Sequence, residues 1–127
     1  MATEKKMVLV IEDDQFLREL LLRKLAHEQI EAEGSIDGED GLEKIKKLSP
    51  NLVLLDLMLP VLDGFEVLKR VRRDPDAQRA KLPIVILSNL GQESDIEKGK
   101  QLGANDYMVK ANFTTTEIID KIKGYLK

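Results

Sequence analysis

Hydrophobic positions fall into two periods along this chain. Five short segments, residues 7–11, 30–35, 52–55, 84–87 and 106–109, read as strands, and the first, third and fourth of these are unbroken apolar runs. Between them the spacing turns helical. Leu17, Leu21 and Leu25 recur every fourth residue with Leu20 beside them, while Arg18, Glu19, Arg23 and Lys24 take other positions, which predicts an amphipathic helix on a sheet. Residues 41–48 carry Leu42, Ile45 and Leu48 on one face; residues 64–73 carry Phe65, Leu68 and Val71, and each pattern runs out near a proline, Pro50 or Pro75. Thr114 and Glu117 stand at capping-box spacing, Phe113 and Ile118 at staple spacing, and Ile118, Ile119, Ile122, Tyr125 and Leu126 form the predicted buried stripe of the last helix. Residues 92–102 have only Ile96 and Leu102 as large apolar side chains and contain Gly99, so this helix is expected to be thinly anchored and able to move.

Strands alternating with helices predict right-handed crossovers and an α/β fold, a doubly wound parallel sheet with helices on both faces. Function in that architecture sits outside the carboxyl ends of the strands. The 127 residues fit one domain, expected over residues 1–127 without an attached output domain.

Composition narrows the chemistry. A formal net charge of -3 offers no basic field for nucleic acid, and the absence of cysteine removes disulfides, thiolate metal sites and thiol nucleophiles. The amino terminus is polar and the apolar run after it is too short for a membrane span or a signal-peptide core, so a cytoplasmic protein is expected.

Two apolar runs end in acids. Residues 7–11 lead into Glu12-Asp13-Asp14, and Leu54-Leu55 leads into Asp56, after which Pro60 and Asp63-Gly64 break the chain into a loop. If the two strands are parallel neighbours, Glu12, Asp13 and Asp56 converge, and their mutual repulsion calls for a divalent cation. Oxygen donors of this kind suit Mg²⁺, or Mn²⁺, with Asp13 a direct ligand and Glu12 a partner through water. Asp14 is suited to capping the following helix. The fourth strand is followed by Ser88, a hydroxyl, and the fifth by Lys110, a flexible positive charge.

With the acid pair, Asp56, Ser88 and Lys110 in that order, the chain resembles the receiver domain of bacterial two-component response regulators, the stand-alone chemotaxis-like kind included. The matching pieces are Val10-Ile11-Glu12-Asp13-Asp14, the run from Asp56 to Gly64, Pro83-Ile84-Val85-Ile86-Leu87-Ser88, and the run from Gly103 to Lys110. The resemblance implies a flavodoxin-like five-stranded sheet in the order 2-1-3-4-5. It implies Asp56 as phosphoacceptor, Glu12, Asp13, Asp56 and the Met58 backbone carbonyl at Mg²⁺, Ser88 and Lys110 on the phosphoryl group, and Ser88 with Tyr107 as the switch pair. Its partners would be a sensor histidine kinase or a histidine phosphotransfer protein upstream and an effector protein downstream, read through the surface of the fourth predicted helix, the fifth strand and the last helix. The protein would be a monomer or a phosphorylation-dependent dimer, with no catalysis beyond its own phosphorylation and dephosphorylation.

Asn89 stands where the family has a very small residue, and Ala111 replaces the usual proline after the lysine, so a trans Lys110-Ala111 bond is expected. Met58 and Leu90 cannot orient an attacking water, which predicts slow self-dephosphorylation. His27 and the stretch Lys69, Arg70, Arg72, Arg73, Arg79 and Lys81 are read as solvated surface. A phosphorylation-independent interaction module on the same fold is the alternative. A flavodoxin-like cofactor binder is disfavoured by acids in the first turn, and a hydrolytic phosphatase by Met58 where a second acid would stand.

Overall fold

The computed structural model describes residues 6–127, so the polar amino-terminal segment lies outside the described residues. Five strands, β1 (Met7–Ile11), β2 (Glu31–Ser35), β3 (Leu52–Leu55), β4 (Ile84–Ser88) and β5 (Asp106–Val109), pair in parallel in the order β2-β1-β3-β4-β5. Six helices intervene or follow: α1 (Gln15–His27), α2 (Gly38–Leu48), α3 (Gly64–Arg72), α4 (Ala77–Ala80), α5 (Glu93–Gln101) and α6 (Thr115–Tyr125).

Strand alternation divides the core. Val8, Val10, Leu52, Leu54, Val85 and Leu87 point to the face covered by Leu21 and Leu25 of α1 and Ile118, Ile119 and Ile122 of α6. Leu9, Ile11, Val53, Leu55, Ile84 and Ile86 point to the other face, under Ile45 of α2 and Val67, Leu68 and Val71 of α3. β1, β3 and β4 are buried on both sides, which is why they carry no polar alternation. β2, at one edge, reads Glu-Ala-Glu-Gly-Ser, and its glutamates are exposed.

Several boundaries moved. α2 starts at Gly38 rather than 41, because Asp37 caps it through the Asp40 amide at 2.8 Å and the first turn is polar. A Cβ at Gly38 would lie 2.0 Å from the Leu62 carbonyl oxygen, so this turn and the loop after β3 meet where only glycine fits. α4 was not predicted: four residues capped by Asp76, with nothing buried, leave no hydrophobic period to read. Tyr125 is exposed rather than part of the buried stripe, and its hydroxyl donates to the Asn105 carbonyl at 3.1 Å. The capping box of α6 is formed by both Thr114 and Glu117.

α5 is held as thinly as its sequence suggests. Its only buried residue is Gly99, and Gln92 provides no side-chain cap. No cis peptide occurs among the described residues, so Lys110-Ala111 is trans.

Candidate functional site

Parallel strands present their carboxyl ends on one side of the sheet, and β1 and β3 are neighbours there. Glu12 follows β1 and Asp56 follows β3; the Asp56 amide donates to the Ile11 carbonyl at 3.0 Å, lacing the strand ends where the acids emerge. One oxygen from each of Glu12, Asp13 and Asp56 lies within 4.8 Å of the others. Glu12 is 2% and Asp56 4% exposed, whereas Asp13 faces solvent.

Lys110 opens a short 3-10 turn, Lys110–Asn112, at the end of β5. Its ammonium lies 2.8 Å from Glu12 Oε1 and 3.1 Å from Asp56 Oδ2, so one cation bridges two buried carboxylates. Burial, helped by the Asp56 charge, pushes the Glu12 carboxyl up to about 7, even though the bonds from Lys110 and the Asp14 amide act the other way. For Lys110, burial is the largest single influence and works against its charge, but the bonds to Glu12 and Asp56 together outweigh it and hold the ammonium above the ordinary lysine value.

The loop after β3 is built around Asp56. Its Oδ1 accepts from the Met58 amide at 3.3 Å, closing a turn to which the Met58 carbonyl belongs. The Met58 side chain is exposed. Asp63 caps α3 through the Glu66 amide at 3.0 Å. A Cβ on Gly64 would lie 2.2 Å from the Asp56 carbonyl oxygen, so the helix start can press against the acid's own backbone only because this residue is glycine. Asp14, as expected, caps α1 through the Leu17 amide at 3.2 Å.

Ser88 ends β4, the strand beside β3, but is fully buried, and its hydroxyl accepts from the Leu90 amide at 3.3 Å. Asn89 is exposed and shares the shallow pocket with Asp13, Met58 and Lys110. Tyr107 is half-buried, and its hydroxyl donates to the Leu90 carbonyl. Burial, then the charges of Asp95 and Asp56, push its phenol up to about 12.

The donor set fits a hard divalent cation. Three carboxylates answered by one ammonium leave negative charge uncompensated, and every donor is oxygen.

Arg72 was read as solvated and is not, and Arg18 was placed only on the polar positions of its helix. Arg72 bonds the carbonyls of Gly103, Ala80 and Leu82 and the Asn105 side chain, at 2.7 to 3.1 Å, tying α3 to the turns before β4 and β5. Arg18 donates to the Glu12 carbonyl at 2.7 Å. Neither departs from its helix's polar face in sequence, and only the non-local carbonyls they meet distinguish them from solvated arginines. The rest of the basic stretch remains at the surface, with Lys69 and Arg70 against Glu66 and Arg79 against Asp74. His27 is exposed. Among the described residues, no helix is long and apolar enough to cross a membrane.

Comparison with known proteins agrees with this geometry. The profile of the response regulator receiver domain matches residues 8–123. The chain is 37% identical over 124 residues to the probable transcriptional regulator ycf27 of Porphyridium aerugineum, covering 98% of this chain and 49% of that one. It is 35% identical over 120 residues to the phosphate regulon transcriptional regulatory protein PhoB of Rhizobium meliloti, covering 94% and 52%. The chain thus spans about half the length of these curated relatives. Among solved structures, a response regulator of Chloroflexus aurantiacus superposes with a TM-score of 0.86 at 32% identity, covering 97% of this chain and 98% of that one. The chemotaxis response regulator CheY4 of Vibrio cholerae superposes with 0.86 at 26%, covering 96% and 99%. The strand order and the match over nearly the whole chain therefore agree on one family: this chain belongs to the response regulator receiver domains.

Proposed function

We propose that this chain is a phosphorylation-dependent signalling switch of a two-component phosphorelay, with Asp56 as the phosphoacceptor. The observation that carries the reading is Asp56 itself, a buried carboxylate at a strand end with Lys110 at 3.1 Å and two further acids beside it. The donor is the phosphohistidine of a sensor histidine kinase or histidine phosphotransfer protein, or a small phosphodonor. An Asp56 oxygen attacks the phosphorus in line; its new P–O bond forms as the bond to the donor breaks, and the donor leaves with the electron pair.

Lys110, 3.1 Å from Asp56 Oδ2, would meet the charge that gathers on the transferring group by passing from carboxylate to phosphoryl oxygen. Glu12, Asp13, Asp56 and the Met58 carbonyl are the groups that would hold Mg²⁺ or Mn²⁺, which when bound compensates charge on the phosphoryl oxygens. Ser88 would exchange its bond to the Leu90 amide for a phosphoryl oxygen. Because Tyr107 bonds the Leu90 carbonyl, the same loop carries the change to β5 and α5. The face of α5, β5 and α6 then presents a different surface to an effector, and the switch works in the cytoplasm without other catalysis. Inverting a 1:99 preference to 99:1 takes about 5.5 kcal/mol of differential stabilisation, which sets what the new contacts must supply.

Intact mass after incubation with acetyl phosphate and Mg²⁺ tests this directly. One phosphoryl adduct is expected in the wild type and none in Asp56→Asn or with EDTA. An adduct that survives Asp56→Asn would overturn the assignment.

A further inference from the structure

Arg18 is used by none of the chemistry above, yet it is built into the acid site. Its guanidinium donates to the Glu12 carbonyl at 2.7 Å, a charge-assisted bond from one turn into α1 back to the residue that follows β1. Its stem crosses β2 at Gly34: a Cβ there would lie 3.0 Å from Arg18 Cδ and 3.3 Å from its Cγ, with Leu22 Cδ1 at 3.2 Å beside them. The glycine leaves the passage the side chain occupies.

Glu12 is held on every other side as well. Its amide donates to the Ser35 carbonyl at 2.9 Å, its Oε1 meets Lys110, and its Oε2 accepts from the Asp14 amide at 3.1 Å. The two peptides that flank Asp13 are therefore pinned, one at the Glu12 carbonyl by Arg18 and the other at the Asp14 amide by the Glu12 carboxylate. Asp13 is exposed and its carboxylate has no bond of its own among those described, so the backbone between those pins sets the Cα–Cβ direction from which it reaches the site.

We infer that Arg18 is a positioning residue of the divalent-cation site: by fixing the Glu12 carbonyl it aims Asp13 at Glu12 and Asp56, and Gly34 is the residue that lets it reach. The inference rests on the reading of the acid cluster as a cation site. Outer partners that orient metal ligands are worth about ten- to a hundredfold in affinity, and one bond to a backbone carbonyl belongs at the lower end.

The test is calorimetric titration of the unphosphorylated protein with Mg²⁺, with urea stability in EDTA measured beside it. Arg18→Ala is expected to weaken Mg²⁺ binding about tenfold, and Arg18→Lys to recover part of the loss, since an ammonium supplies charge without the planar fork. Gly34→Val, whose side chain also meets Leu22, is expected to lower stability in either background, but to weaken Mg²⁺ binding only when Arg18 is present, the non-additivity in affinity of two changes that reach the site through one side chain. Unchanged affinity in Arg18→Ala, or fully additive effects of the two substitutions, would overturn the role of Arg18 while leaving the cation site standing. Absence of Mg²⁺ binding in the wild type would overturn the cation site and this inference with it. Should Arg18→Ala fail to fold, Arg18→Lys and Gly34→Val carry the test, and wild-type affinity in both overturns the inference.

Discussion

Without divalent cation, the folded protein should lose stability as the pH rises from 4.5 to 7, with Glu12 responsible. The carboxyl has an ordinary value of 4.5 when exposed in the unfolded chain and about 7 in the fold, so across that window the folded state binds more protons. The sign follows: the contribution is fully favourable below 4.5 and is lost as the pH passes through 7. Separation of the two values by about 2.5 pH units, at about 1.36 kcal/mol each, amounts to roughly 3 kcal/mol. Because Glu12 titrates together with the Lys110 and Asp56 charges beside it, this figure is an upper bound. Glu28 and Asp74 move the other way: Lys123 and Arg79 hold them below their ordinary values, so the stability they give is lost only at more acidic pH. Lys110 titrates far above the window.

Urea denaturation in EDTA, followed by far-ultraviolet circular dichroism from pH 4.5 to 8, measures the effect against Glu12→Gln, which keeps the side-chain length and cannot titrate. With an m-value of about 1 to 3 kcal/mol/M, the wild-type midpoint should fall by about 1 to 3 M more than that of the variant. Two parallel curves would refute the reasoning, because they would mean that Glu12 ionises in the fold as it does in the unfolded chain.

Arg72→Lys should cost about 2 to 4 kcal/mol in urea denaturation, since a lysine cannot satisfy the four acceptors that the fork now reaches; a change under about 0.5 kcal/mol would refute the account. Gly64→Ala should destabilise by at least about 2 kcal/mol and also slow phosphorylation from acetyl phosphate, because its Cβ would displace the Asp56 backbone; destabilisation with unchanged phosphorylation would separate the packing from the site. Once formed, the phosphoryl adduct should decay over minutes or longer in Mg²⁺ buffer, since neither Met58 nor Leu90 can hold an attacking water; decay within seconds, followed by intact mass, would refute this.

The strands were legible because β1, β3 and β4 are buried on both faces and carry unbroken apolar runs, and the candidate site was legible because its acids follow β1 and β3, its hydroxyl closes β4 and its lysine follows β5. Once the topology brings β1 and β3 together, Glu12 and Asp56 have to meet. What stayed hidden depends on carbonyls far away in the chain. Arg18 and Arg72 occupy helix positions where an arginine is ordinarily solvated, and Gly38 looks like a loop residue until the Leu62 carbonyl is seen against it. α4, exposed and one turn long, has no apolar period to betray it. Tyr107 could be placed on its strand, but its bond to the Leu90 carbonyl depends on the path of the β4–α5 loop.

The open sheet ends in two strands with a bare side, and such a side is a template on which another chain can add itself. β2 meets that hazard with composition. Glu31 and Glu33 stand exposed along it, and Lys44 of α2 donates to the Gly34 carbonyl, so an incoming strand would meet fixed charges and an occupied acceptor. At the opposite edge, Asp106 of β5 is paired with Lys121 of α6 at 3.1 Å. The apolar interior strands, which would be the most aggregation-prone segments if exposed, are thus flanked by charge on both sides, and that charge works against edge-to-edge addition of a second chain.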